Sequence, residues 1–167
     1  SLLTPKDLAG CRILVTAGPT REPMDPVRFI TNLSSGKMGY AIARMARRRG
    51  ADVTLVSGPS FLPPPRGVRL IPVSSAVQMY DAVMERNADA DVVIKAAAVA
   101  DYRPAEPSGS KIKKGKEPLT IRLERNPDII AELGKKKGKR ILVGFAMETE
   151  DLLERARQKM KDKNMDL

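Results

Sequence analysis

Between Asn32 and Tyr40 the chain reads NLSSGKMGY. Ser34, Ser35, Gly36 and Lys37 stand at the mouth of an amphipathic segment, where backbone N–H groups, two hydroxyls and an ammonium group make a competent anion site. Ordinary N-capping by a serine accounts for the same residues, so the stretch does not decide by itself. It is not a Walker loop, which needs Gly five residues before the Gly-Lys pair and Ser or Thr after it; Thr31 and Met38 occupy those positions. It is not a dinucleotide fingerprint either, because only Gly36 and Gly39 are present and the second strand ends in Ser57 instead of an acid. The residues four after Tyr40, Tyr80 and Tyr102 are Arg44, Met84 and Glu106, so the Tyr-x-x-x-Lys pair of a short-chain dehydrogenase is absent.

Three further stretches could meet a phosphorylated ligand. Ala96-Ala97-Ala98-Val99-Ala100-Asp101-Tyr102-Arg103 puts small residues at a strand end, where a flat base can approach the backbone; Asp101 is placed to accept from a ribose hydroxyl, although a surface-turn aspartate would read the same. Lys111-Ile112-Lys113-Lys114-Gly115-Lys116 is either a solvated charge run or a lysine lid over a polyphosphate. Lys159 and Lys163 lie four apart, on one helical face, so both ammonium groups can point at one phosphate chain or simply at water.

Composition narrows the chemistry. The 167 residues contain no histidine and one cysteine, Cys11, which removes imidazole catalysis, an internal disulfide and any multi-cysteine metal site. Lys and Arg number 30 against 20 Asp and Glu, a net charge of +10 that attracts polyanions. Aromatic residues are only 4% with no Trp, which argues against a base-stacking platform and against nucleic acid as partner. No apolar run approaches the roughly 18–20 residues of a membrane span and no signal segment opens the chain, so the expected location is the cytoplasm, away from membranes.

The elements that must position these residues follow from the pattern. Residues 1–10, SLLTPKDLAG, read as a linker. Arg12–Ala17, Asp52–Ser57, Val68–Val73, Asp91–Ala96 and Ile141–Ala146 are short β-branched runs that predict buried strands, with Leu119–Leu123 as a sixth. Helices are predicted from Gly36 to Arg49, with Met38, Ile42, Met45 and Ala46 as its apolar face, and from a Ser75–Gln78 capping box to Arg86. Asn126-Pro127-Asp128 predicts a third start, with Asn126 as N-cap, and Thr149 caps a last helix reaching Lys163. Residues 18–35 and 98–118 read as long loops. The alternation predicts an α/β domain with a mostly parallel sheet, whose ligands bind at the carboxyl ends of the strands.

Six ordered motifs, AGPTREPMDPVRFITNLSSGKMGYAIA, GADVTLVSGP, AAAVADYRP, KIKK, NPDI and VGFAMET, resemble the phosphopantothenoylcysteine synthetase domain of the bifunctional coenzyme A biosynthesis flavoproteins. The resemblance runs from about Leu8 to Leu167 and implies a Rossmann-like three-layer fold. It implies a CTP-dependent ligase: 4′-phosphopantothenate attacks the α-phosphate of CTP, and the acyl-cytidylate is then captured by L-cysteine. On that resemblance Lys95, Ala96 and Ala97 read cytosine, Asp101 meets the ribose, and Lys111 covers the triphosphate. Pro127, Asp128, Ile129, Ile130 and Phe145 are further nucleotide contacts, with Lys159 and Lys163 as phosphate partners. Asn32 holds the acyl-cytidylate, with Arg28 a partner in that step. The resemblance also implies Mg²⁺ with the triphosphate, without a legible ligand set, and a homodimer. It implies no FMN site, residues 1–10 being a linker from an absent decarboxylase domain. Residues 11–167 are then a synthetase domain expected to continue beyond Leu167; if that tail completes the site, the alternative is a nucleotide-binding fragment without turnover.

Overall fold

The computed structural model describes residues 4–115, 117–145 and 152–167. Its centre is a sheet of five parallel strands: β1 (Arg12–Ala17), β4 (Asp52–Ser57), β5 (Arg69–Pro72), β6 (Val92–Lys95) and β9 (Ile141–Gly144). They lie in the order β5-β4-β1-β6-β9. The chain therefore starts in the middle, builds outward on one side, then crosses back to build the other. That is the doubly wound arrangement of a Rossmann-like fold, with its switch point between β1 and β6.

Strand periodicity explains the layering. Ile13, Val15 and Ala17 of β1 pack with Tyr40, Ala43 and Ala46 of α1 (Lys37–Arg48) on one face. Leu14 points to the other face, with Met79 and Val83 of α2 (Ala76–Asn87) and Ile129 and Leu133 of α3 (Ile129–Lys135). Successive side chains of a strand point to opposite faces, so one strand feeds both cores. The capping box at Ser75 and Gln78 is formed as its sequence predicts. A fourth helix, α4 (Leu152–Asp162), follows β9. No helix among the described residues is long and apolar enough to cross a membrane.

Several expectations are corrected. The stretch 18–35 is not all loop: β2 (Arg21–Asp25) and β3 (Arg28–Thr31) form an antiparallel hairpin. Pro23 and the charged Arg21, Glu22 and Asp25 hide it from propensity, and tertiary ties supply what local preference lacks. The stretch 98–118 likewise contains β7 (Tyr102–Pro104), which pairs with β8 (Leu123–Arg125); the sixth strand is thus displaced from the predicted 119–123. The buried face of α1 is Gly39, Tyr40, Ala43 and Ala46, whereas Met38 and Met45 are about half exposed. The helix sits too close to β1 for larger side chains: a Cβ on Gly39 would lie 2.5 Å from the Ala17 Cβ. The N-cap of α3 is Asp128, whose Oδ1 accepts the Ala131 N–H at 3.2 Å, and Asn126 has another task. Lys116, Ala146 and the expected cap Thr149 lie outside the described residues.

Candidate functional site

Beyond β1 and β6 the two chains run on side by side past the edge of the sheet. Pro19 bridges Ala98, the Ala98 N–H donates to Gly18 O at 2.9 Å, and the Thr20 N–H donates to Ala98 O at 3.3 Å. Two buried threonines lock this extension. Thr16 Oγ1 accepts from the Ala97 N–H at 3.2 Å, and Thr20 Oγ1 from the Ala100 N–H at 3.0 Å. Neither threonine is singled out by sequence, because a hydroxyl in a strand end reads as ordinary β-propensity.

A cavity of about 370 Å³ opens at this switch point, and Lys95, Asp101, Asn126, Pro127, Asp128 and Lys163 line it. Lys163 Nζ meets Asp128 Oδ2 at 2.8 Å. The Asp128 carboxyl thus joins the two elements, capping α3 with one oxygen and holding Lys163 with the other. Partial desolvation pushes the Asp128 pKa up, but the Lys163 and Ala131 hydrogen bonds outweigh it and the net shift is downward. Burial pushes the Lys95 ammonium down from the ordinary lysine range; Asp128 and Asp101 oppose that, while Lys163 and Lys159 add to it. Lys95, Arg125 and Lys163 line the cavity against the two carboxylates of Asp101 and Asp128, leaving an excess of positive charge in a cleft, the pattern expected where an anion is to be bound.

Asn126, read from sequence as a cap, instead braces the cavity wall. Its Nδ2 donates to Ala100 O at 2.8 Å, its Oδ1 accepts from Arg103 at 3.0 Å, and its N–H donates to Asp101 O at 2.8 Å. The residues expected at the nucleotide fall in different places. Lys95, Asp101, Pro127, Asp128, Ile129 and Lys163 line the cavity, whereas Ala96 and Ala97 form the strand end beside it. Ile130 is buried in the core next to α2 and Phe145 is exposed just beyond β9. Lys159 lies near enough to Lys95 to act on it.

The NLSSGK stretch faces a second cavity of about 370 Å³, lined among others by Phe29, Asn32, Ser34, Lys37 and Phe61. Asn32 joins the two cavities: its Nδ2 donates to Val99 O at 3.1 Å and Ala98 O at 3.4 Å. The serines turn back on their own backbone, with Ser34 Oγ accepting from the Gly36 N–H at 3.3 Å and Ser35 Oγ from the Lys37 N–H at 3.4 Å. The N-cap of α1 is Gly36, which has no side chain to offer the first turn. Gly36 has φ +78° and lies against Gly18, where a Cβ would come within 3.1 Å of the Gly18 nitrogen. A residue larger than glycine would therefore be crowded against Gly18 and strained by the left-handed backbone.

Arg28 and Ile112, the neighbour of Lys111, are joined through a residue that the sequence did not flag. Asp25, with a fully buried side chain, pairs with Arg28 at 2.7 Å and accepts the Ile112 N–H at 3.1 Å. Arg28 in turn donates to Ile112 O at 2.5 Å. Lys111 itself is exposed.

An open parallel sheet with a cation-lined cavity at its switch point defines a Rossmann-like α/β domain. The chain belongs to the family of the DNA/pantothenate metabolism flavoprotein C-terminal domain, whose model matches residues 8–167. It is 51% identical over 170 residues to the coenzyme A biosynthesis bifunctional protein CoaBC of Vibrio cholerae, covering 100% of this chain and 43% of the relative. The CoaBC of Mycobacterium tuberculosis strain H37Rv is 53% identical over 175 residues, covering 98% of this chain and 42% of that protein. The chain thus spans less than half the length of these relatives. The crystal structure of the C-terminal domain of a CoaBC protein superposes with a TM-score of 0.83 at 52% identity, over 94% of this chain and 74% of that one.

Proposed function

We propose that this chain is the phosphopantothenate–cysteine ligase part of a coenzyme A biosynthesis protein. It would join 4′-phosphopantothenate to L-cysteine at the expense of CTP. The observation that carries the reading is identity of about half the residues, over the whole chain, to one part of bifunctional CoaBC proteins. The cation-rich cavity at the switch point supports it, because the reaction brings a triphosphate and a phosphorylated acid together.

In the first step a carboxylate oxygen of 4′-phosphopantothenate bonds to the α-phosphorus of CTP as the bond to pyrophosphate breaks. In the second, the cysteine amine attacks the acyl carbon, an amide forms, CMP leaves and the amine gives up a proton. Neither step requires an imidazole, since a carboxylate is already a nucleophile and phosphoryl chemistry depends on positioning and charge neutralisation. Lys163 and Lys159 would neutralise the departing pyrophosphate, and Lys95 would read cytosine together with Ala96 and Ala97. Asp101 would meet the ribose. Asn32, held against the Ala98–Val99 carbonyls, would orient the acyl-cytidylate with Arg28 as its partner in that step, and Lys111 would cover the triphosphate from the hairpin side.

Mg²⁺ would supply charge neutralisation on the triphosphate. The donors suit an ion that arrives with its ligand and keeps most of its waters: Asp101 and Asp128 stand at the cavity, and no cluster of three or more His, Cys, Asp or Glu is found among the described residues. A homodimer is part of the same reading.

The test is pyrophosphate release from CTP, Mg²⁺, 4′-phosphopantothenate and cysteine, with ATP and other nucleotides as competitors. CTP binding with no pyrophosphate would identify instead a nucleotide-binding fragment without turnover. Asn32→Asp should keep CTP affinity within a few fold while product formation falls roughly 100-fold, the scale of losing one transition-state donor. Loss of CTP affinity in that variant would move Asn32 into the nucleotide site.

A further inference from the structure

Asp25 is the most heavily engaged carboxylate in the described structure, and nothing in the proposed reaction uses it directly. It stands at the end of β2, where the pairing register with β3 shifts between Pro23 and Asp25. Such irregularities re-aim a side chain, and here the Asp25 carboxylate is turned inward and completely buried. Its two oxygens have separate tasks. Oδ1 accepts the N–H groups of Val27 at 2.9 Å and Arg28 at 2.8 Å, which closes the hairpin turn as an Asx-type turn. Oδ2 accepts from Arg28 Nε at 3.0 Å and from the Ile112 N–H at 3.1 Å. The guanidinium it orients donates to Ile112 O at 2.5 Å. The Ile112 residue is thus gripped at its N–H and its C=O by one ion pair, 87 residues away in sequence for the Asp25 bond. A second tie, the Ser108 N–H donating to Met24 O at 2.9 Å, holds the other end of the same short segment.

We propose that Asp25 is a positioning residue for the ligase reaction, clamping the Lys111–Ile112 segment onto the β2–β3 hairpin so that Arg28 and Lys111 are presented together. The inference rests on the ligase reading above. Burial by itself would favour the neutral acid, but the hydrogen bonds from Val27, Ile112 and Arg28 hold the Asp25 pKa to about 2. The clamp is therefore ionised throughout the neutral range, and it acts by geometry and not by proton transfer. Displacing a positioned group by about an ångström costs on the order of 100-fold in rate.

Asp25→Asn separates the two tasks of the carboxylate. With its oxygen at the Oδ1 position it can still close the turn, but its NH2 then faces two donors, Arg28 Nε and the Ile112 N–H. In the full chain, Asp25→Asn should lower kcat for pyrophosphate release roughly 10- to 100-fold while the KM for CTP stays within a few fold. Exchange of the Ile112 amide with deuterium should accelerate at least about tenfold while that of Val15 in the sheet is unchanged. Lys111→Ala should lower kcat, and the Asp25→Asn, Lys111→Ala double variant should lose clearly less than the product of the two single losses, because residues acting as one unit are not additive and only the misplacement of Arg28 remains to be felt. Additive losses would overturn the positioning role, since they would show that Asp25 supports only the fold. An Ile112 amide that exchanges equally in wild type and variant would overturn the clamp itself. A wild-type chain that binds CTP without releasing pyrophosphate would overturn the ligase reading and the kinetic role with it, and the clamp would then be judged on amide exchange alone.

Discussion

The sheet and the two hairpins are stabilised in different ways. Leu14, Val15, Val53, Leu55, Val93 and Leu142 are at most 1% exposed, so the sheet is held by burial from both faces. The β2–β3 and β7–β8 hairpins leave most of their residues exposed or half-buried and are fixed by a handful of polar side chains: Asp25, Arg28, Arg103 and Asn126. Burial is cumulative and non-directional, so many residues share the stability of the sheet. A buried hydrogen-bonded carboxylate is specific, and losing one partner disturbs one place. The candidate chemistry sits where the two regimes meet, with Lys95 leaving the sheet and Lys111 and Arg28 belonging to the hairpin side.

Substitutions can break this contrast from either side. The largest effect on stability is expected from Leu14→Ala, which should cost about 3–5 kcal/mol in chemical denaturation, as for other fully buried leucines. A loss below about 1 kcal/mol would mean that burial in the sheet is not what holds the protein together.

Gly134→Ala should act between the regimes. A Cβ there would lie 2.1 Å from Lys163 O, so α3 and the end of α4 must part. Overpacking of this kind costs about 1–3 kcal/mol. Because Lys163 lines the cavity, nucleotide affinity measured by calorimetry should fall more steeply than the melting temperature suggests. Unchanged affinity would remove Lys163 from the site.

The smallest effect concerns acid. Asp25 is held to about 2 by the hydrogen bonds that overcome its burial, and Asp91 to about 2 chiefly by the Arg12 side chain. Both folded values lie below the ordinary 3.8 of an aspartate, so each carboxylate contributes stability that is present above that value and is lost as pH falls from about 4 towards 2. Asp91 and Arg12 are about half exposed, with side chains 45% and 52% accessible, and solvent screens that pair. Asp25→Asn should therefore flatten the acid limb of the stability profile, whereas Asp91→Asn should leave it nearly unchanged. The reverse order would mean that the hairpin clamp contributes less than the surface pair.

Much of the fold was legible because its signals are local. The β-branched runs at Arg12–Ala17 and Asp52–Ser57 became β1 and β4 with the bounds their residues suggest, and Ser75 with Gln78 marked the start of α2. Each of these signals is complete within a few residues. The candidate site was legible in part: Asp101 from its strand end and Lys163 from its helical spacing with Lys159, whereas Lys95 and Asp128 were implied by the family resemblance, and all four line the cavity. The face of α1 was misread because apolar size misleads where a helix must come close: Gly39 and Ala43 are buried while Met38 and Met45 remain half exposed.

What the sequence determined by itself is therefore the alternation, the parallel sheet and the cationic character of its carboxyl edge, all set by periodicity, caps and charge. Only the tertiary structure decided that Asp25 grips Ile112 across 87 residues, that Asn32 reaches Val99 across 67, and that Asn126 braces Ala100 and not a helix start. A polar side chain offers the same donors and acceptors to every partner, and which partner it meets is settled by how the elements pack, not by the residues beside it in the chain.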